Sequence, residues 1–156
     1  MNKKAAVIGI GNTLMRDDGI GVIILESLIS FFKQEGIDYL NFGIASFDLV
    51  HRMQEYDTIL LIDGIDGALD PGELKIFELT DIVYSLKDSP SSTHEFNLKS
   101  LFDLYKKLGL KTRIYVAGIQ VKNISYGEGL SPQLKSRRVP LTKEISLFIN
   151  KTLLCA

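Results

Sequence analysis

The 156-residue chain has no tryptophan, one cysteine, two histidines and four prolines. The single cysteine, Cys155, stands next to the last residue. An intrachain disulfide framework is therefore excluded, and so is a metal site built from several thiolates. Cys155 reads as a chain-end residue. Net charge is almost absent: 18 basic side chains against 19 acidic ones leave −1. No overall field then favours nucleic acid or an anionic membrane surface. The one basic cluster, Lys135, Arg137 and Arg138, reads as a solvated helix face. No apolar run is long enough to cross a bilayer. The amino-terminal segment MNKKAAVIGIGN reaches glycine after four or five apolar residues, so it lacks a signal-peptide pattern. These absences lead to the expectation of a reducing, cytoplasmic setting without nucleic acid or membrane partners.

What is present is ordinary in amount and specific in order. The chain is 46% hydrophobic and 24% charged, which fits one globular domain over residues 1–156 with a sizeable core. AAVIGI (5–10) is a fully apolar run of the kind found in buried parallel strands. From about Asp17 to Lys33, Ile20, Ile23, Ile24, Ser27, Leu28 and Phe31 fall at helical spacing, and Gly36 closes the segment. DYLNFG (38–43) predicts a second strand, followed by a short helix from about Ser46 to Gln54. DTILLID (57–63) predicts the central strand. LDPGEL (69–74) carries turn chemistry, with proline presetting one turn angle and glycine free to take positive φ. ELKIFEL (73–79) alternates, as a half-exposed edge strand does. Ser92 and Glu95 fit a capping box ahead of the stripe Leu98, Leu101, Phe102, Tyr105 and Leu108, which Gly109 ends. TRIYVAGI (112–119) predicts the last strand and NISYGEG (123–129) a loop. Ser131 with Pro132 predicts the cap of a final helix, which Pro140 is expected to kink or restart. Its buried face would carry Leu141, Ile145, Phe148 and Ile149. The order β-α-β-α-β-β-α-β-α predicts helices on both faces of a mostly parallel sheet with one antiparallel strand.

In such sheets, sites form beyond the carboxyl ends of the strands. That rule selects the 9–21 loop, the residues after Ile62, and the turn leading to Ser92. The first is GIGNTLMRDDGIG. It fits the dinucleotide fingerprint at Gly9 and Gly11, but Leu14 takes the third glycine position, and no acid closes the second strand. A Walker loop is absent, and Asp17 and Asp18 stand where an anion would bind. A helix cap with a first-turn acid accounts for one aspartate, most simply Asp17. Asp18 is left for function. Asp63 closes a run of aliphatics at the end of the central strand, where a carboxylate is costly unless it meets solvent, a partner or a metal. Asp66 and Asp70 read as loop acids, and His51 as a surface residue. His94 falls in the first turn of a helix, whose dipole keeps an imidazole neutral, the form that binds metal. Asp18, Asp63 and His94 thus converge from three βα junctions as an O,O,N set acceptable to Zn²⁺ or Ni²⁺. The two aspartates alone could instead do general acid/base work. Nucleophilic triads fit badly, since no serine lies in a G-x-S-x-G elbow.

The stretches GIGNTLMRDDGIG, LLIDGIDGALDPGEL, STHEFNL and AGIQ together resemble the [NiFe]-hydrogenase maturation endopeptidases, in order and spacing, over nearly the whole chain. The DDG at 17–19, the D-x-x-D at 63–66 with PGE at 71–73, and the T-H-x-x-x-L at 93–98 are most similar to the branch that processes formate-hydrogenlyase-type hydrogenases. The resemblance implies a three-layer α/β/α sandwich with a five-stranded, mostly parallel sheet, phosphorylase/hydrolase-like in type. It implies an endopeptidase that removes the C-terminal extension of a hydrogenase large-subunit precursor after nickel insertion. The family's two acidic metal-contacting positions and its histidine fall on Asp18, Asp63 and His94. The two aspartates are the catalytic candidates of an aspartic-type endopeptidase. No tightly bound cofactor is implied, because the metal contacted is the nickel of the substrate. The chain is expected to be a monomer apart from its precursor partner. One segment departs from the family pattern: Asn41-Phe42-Gly43-Ile44-Ala45 keeps a glycine but lacks an acid and a hydroxyl. That departure sustains an alternative, a non-catalytic nickel-sensing chaperone for the same precursor. A nucleotide-binding module is a third, weaker reading.

Overall fold

The computed structural model describes residues 4–44, 47–84 and 98–155. Its strands are β1 (Ala5–Ile10), β2 (Ile37–Gly43), β3 (Thr58–Ile65), β4 (Leu74–Glu78) and β5 (Arg113–Gln120). They form one sheet in the order β2-β1-β3-β5-β4. β1 pairs in parallel with β2 and β3, β3 in parallel with β5, and β5 antiparallel with β4. The two half-exposed strands, β2 and β4, lie at the edges, while the apolar runs of β1 and β3 lie between neighbours, as buried parallel strands require.

Side-chain alternation divides the core into two layers. Val7, Leu60, Ile62, Ala117 and Ile119 face α1 (Ile20–Phe31) and α4 (Pro132–Phe148). Ala6, Ile8, Ile59, Leu61 and Val116 face α2 (Phe47–Met53) and α3 (Leu98–Leu108). Successive residues of one strand thus feed opposite cores, and each fully buried aliphatic contributes about 1.5–3 kcal/mol. This is the α/β/α sandwich anticipated above. Its connections run from β1 outward to β2, then back across to β3. The carboxyl ends of β1 and β3 therefore flank a point where the winding direction reverses, which is where crevices open in sheets of this class.

Several local expectations are corrected. The helix expected from Asp17 starts at Ile20, and residues Arg16–Gly19 form a 3-10 turn ahead of it. Phe31 is 76% exposed, and Val22 and Leu25 are buried instead. α1 lies deep enough against the sheet to bury more than one stripe, while its last turn projects beyond it. Leu108 likewise ends α3 in solvent rather than in the core. Pro140 neither ends nor restarts α4, which runs unbroken from Pro132 to Phe148 into a π-helical turn at Ile149–Leu153. Pro140 and Ser136 are both exposed, so the carbonyl that lacks an amide partner there can be hydrated. A 3-10 segment at Leu79–Tyr84 follows β4, where none was expected. The turn at Asp70–Glu73 matches its chemistry: Glu73 N–H donates to the Asp70 carbonyl at 2.9 Å, and Gly72 takes φ +84°. Ser92 and Glu95 of the proposed capping box lie outside the described residues.

Candidate active site at the carboxyl edge of the sheet

The glycines of the 9–21 stretch serve close packing. A Cβ on Gly9 would lie 2.8 Å from the Gly21 carbonyl oxygen and 2.9 Å from Leu25 Cβ. A Cβ on Gly21 would collide with the carbonyl oxygens of both Ile10 and Ile62. The first turn of α1 therefore lies directly across the carboxyl ends of β1 and β3. Gly11 has φ +143°, and a side chain there would strike the Asp18 carbonyl oxygen. These contacts give the glycines a steric purpose that needs no phosphate.

The two adjacent aspartates do different things. Asp17 is fully buried. Its Oδ2 accepts from the Lys122 and Asn123 N–H groups at 3.0 and 2.9 Å and from Ser131 Oγ at 2.7 Å, and its Oδ1 accepts from Ser131 N–H at 2.6 Å. It does not cap α1, whose N-cap is Gly19 without a side-chain bond. Ser131, expected as a side-chain cap of α4, spends its hydroxyl on Asp17 instead. Burial by itself raises the Asp17 pKa. The backbone N–H groups of Ser131 and Asn123, the Ser131 hydroxyl and the Lys122 N–H together more than offset that, so the net shift is downward. Asp17 is thus a clamp, ionised at neutral pH, that holds the 122–131 loop onto the 3-10 turn.

Asp18 points the other way. Its Oδ2 accepts from Asn12 N–H at 2.9 Å, its own N–H donates to the Met15 carbonyl at 3.1 Å, and it is 5% exposed. It stands just before the first turn of α1, where the helix dipole favours a negative charge. Asp63 is 9% exposed near the end of β3. The 3-10 turn packs on that strand immediately past it: a Cβ on Gly64 would lie 3.3 Å from Ile20 Cγ2 and 3.5 Å from the Asp17 carbonyl oxygen. Asp18 and Asp63 are therefore set on neighbouring elements at one edge, at the switch point. His94 lies outside the described residues. Among the described residues no group of three carboxylate, imidazole or thiolate side chains is gathered as a metal centre.

Three residues have supporting roles that the sequence pattern does not show: Gln120, Asn41 and Ser131. Gln120 ends β5 as Asp63 nears the end of β3, a polar residue after a buried run, and the same signal could have found it. Its Oε1 accepts from the Gly67 and Leu69 N–H groups at 2.8 and 3.2 Å. Its Nε2 donates to Asp66 Oδ1 at 3.2 Å and to the Val121 carbonyl at 2.9 Å. Gln120 thereby pins the loop that follows Asp63. Asn41 turns its side chain onto its own loop, with Oδ1 accepting from Gly43 N–H at 2.9 Å. The Gly43 carbonyl in turn accepts from Gly11 N–H at 2.7 Å. The third is Ser131, already described. Two hollows, of roughly 380 and 440 Å³, lie elsewhere. Asp57, Arg113 and Lys151 line the first, Asp38 and Arg52 the second. Neither touches Asp18 or Asp63, so hollow volume does not locate the carboxylate pair.

Comparison with known proteins agrees with this fold. The family model described as hydrogenase maturation protease matches residues 22–146. The hydrogenase expression/formation protein HupD of Thiocapsa roseopersicina is 30% identical over 137 residues, covering 86% of this chain and 62% of that protein. The chain thus spans less than two thirds of that relative's length. The [NiFe] hydrogenase maturation protease HybD from Thermococcus kodakarensis superposes with a TM-score of 0.73 at 28% identity, covering 93% of this chain and 98% of that one. The hydrogenase maturating endopeptidase HybD from E. coli superposes with a TM-score of 0.79, covering 96% and 93% of the two chains. At 21% identity, that second likeness is one of fold.

Proposed function

The chain belongs to the hydrogenase maturation protease family, and on that premise we propose that it removes the C-terminal extension of a [NiFe]-hydrogenase large-subunit precursor once nickel has been inserted. The observation that carries this reading is the placement of two buried carboxylates, Asp18 and Asp63, on adjoining elements at the switch point of the sheet. In this reading the substrate's nickel is the recognition handle, contacted by Asp18, Asp63 and His94. Those contacts exist only in the loaded precursor, so they can supply the difference in affinity between loaded and empty forms. Hydrogen bonds to the extension cannot, because both forms carry it. One of the two aspartates accepts a proton from the attacking water and returns it to the leaving amine nitrogen. The Asn12 N–H holds one oxygen of the Asp18 carboxylate. The protein supplies no resident metal and acts in the cytoplasm as a monomer. Among the described residues no helix is long and apolar enough to cross a membrane.

A single observation favours the alternative. Asn41, where the family pattern has an acid, spends its side chain on its own turn, which suits a chaperone that checks nickel without cutting. Incubation of the purified chain with nickel-loaded precursor separates the two. A mass loss equal to the extension, abolished by Asp18→Asn and Asp63→Asn, supports the peptidase. Stable binding with unchanged mass supports the chaperone. In either case His94→Ala should remove the preference for loaded over empty precursor, and a preference kept at the wild-type factor would exclude His94 as a nickel contact.

A further inference from the structure

Beside Asp18, two loops are docked on each other. Met15 and Gly127 form an isolated bridge, Arg16 N–H donates to the Gly127 carbonyl at 2.9 Å, and Gly127 N–H donates to the Leu14 carbonyl at 2.8 Å. Each loop is stiffened by its own asparagine: Asn12 Oδ1 accepts from Leu14 N–H, and Asn123 Oδ1 from Ser125 N–H. On this seat lies Arg16, in a left-handed conformation at φ +48°, which strains any residue other than glycine. Its guanidinium lies flat over Gly127: a Cβ there would be 2.9–3.1 Å from Nη2, Cζ and Nε. Gly127 is thus the residue that makes room for it. Arg16 Nε is buried, and among the described residues it has no acceptor and the guanidinium takes part in no ion pair.

A strained backbone, a glycine shaped to one guanidinium and a cation without a partner among the described residues bring the folded chain no stability. They are what a preorganised ligand contact requires. The same seat exposes two apolar side chains, Leu14 at 47% and Tyr126 at 80%. An aromatic held out on a rigid loop is the usual anchor of a protein interface. A carboxylate arriving alone would leave these side chains unused, so the occupant is a stretch of chain carrying an acid among apolar neighbours.

We infer that residues 12–16 and 123–127 form the docking platform for the precursor's C-terminal extension, with Arg16 gripping an acidic side chain of that extension and Leu14 and Tyr126 taking its apolar neighbours. The inference rests on the reading of the chain as a partner of that precursor. A guanidinium facing a carboxylate through its terminal nitrogens forms a charge-assisted contact that a neutral side chain cannot replace. It also brings the extension within a turn of Asp18, where the bond to be cut must lie.

The test uses the full chain and nickel-loaded precursor in two forms, with its native extension and with every Asp and Glu of the extension changed to Asn and Gln. Affinity is read by titration and cleavage by mass, so a chain that binds without cutting still reports on Arg16 while ending the peptidase reading alone. Arg16→Gln should weaken binding of the native extension about tenfold or more. Arg16→Gly should do the same while keeping or raising the melting temperature, because glycine adopts this φ without strain. Tyr126→Ala, at a side chain too exposed to be needed for folding, should weaken binding about fivefold or more. The acid-free extension should bind wild type as weakly as the native one binds Arg16→Gln, and the two changes together should add nothing. The inference is overturned if Arg16→Gly binds as wild type does, or if it loses melting temperature and affinity together. It is also overturned if the acid-free extension, which keeps its terminal carboxylate, still depends on Arg16.

Discussion

The two ends of the sheet carry the same residue types and put them to opposite uses. At the amino ends of β3 and β5, around the hollow lined by Asp57, Arg113 and Lys151, charges sit in water. Arg113 there forms a two-pronged contact with Glu78 at 3.0 and 3.3 Å. Its side chain is 59% exposed, so solvent screens most of that attraction. At the carboxyl ends of β1 and β3, Asp17, Asp18 and Asp63 are all buried. The four hydrogen bonds to Asp17 act where little water competes. The hollow lined by Asp57, Arg113 and Lys151 is therefore at the end with the weaker electrostatics. Among the described residues, the buried carboxylates all stand at the carboxyl edge, desolvated as general acid/base chemistry requires.

The comparison can be broken most sharply at Asp63. If the carboxyl edge is the working end, Asp63→Asn should lower the rate of precursor cleavage by about 10²-fold or more, as loss of a general acid or base does, and leave the melting temperature nearly unchanged. A large drop in melting temperature would show instead that Asp63 holds the strand. The next largest effect is on stability at Asp17. Asp17→Ala abandons four donors in a buried place, and should cost on the order of 3 kcal/mol by denaturant titration. It should also release the 122–131 loop, detectable as faster amide exchange at Asn123 and Ser131.

A smaller effect is one of pH. The folded-state pKa of Asp17 lies below its ordinary value of 3.8. Its stabilising share is therefore fully present above that value and is lost as pH falls below it through the folded pKa. Asp17→Asn, which cannot titrate, should start less stable at neutral pH and show a shallower decline below about pH 3.8. A decline as steep as in wild type would mean that other carboxylates govern acid unfolding. The smallest effect belongs to the amino edge. Arg113→Gln should leave both the melting curve and precursor cleavage at their wild-type values, and a loss of cleavage there would overturn the contrast between the two ends.

Adjacent positions show how far the sequence could be read. Asp17 and Asp18 are indistinguishable by local pattern, and the reading that gave one of them a structural post chose the right residue for the wrong task. Asp17 binds a loop 105 to 114 residues away, and no periodicity in residues 9–21 encodes that partner. Asp63 was legible because a charge closing an aliphatic strand is conspicuous in any window. Gln120 carried the same signal in a neutral side chain and was passed over. Arg16 gave no signal at all, since its seat is a glycine 111 positions away, bonded to it across the loop contact.

The sequence by itself determined the alternation of strands and helices, the burial of β1 and β3, the turn at Asp70–Glu73, and the edge of the sheet at which Asp18 and Asp63 stand. Each of these follows from side-chain period and local backbone chemistry, which act over a few residues. Only the tertiary structure decided which aspartate is a clamp, why Gly9 and Gly21 admit no side chain, that α4 passes through Pro140, and that Arg16 rests on Gly127. Those outcomes depend on which distant backbone groups arrive at hydrogen-bonding or contact distance, and that is settled by packing the two layers of helices onto the twisted sheet.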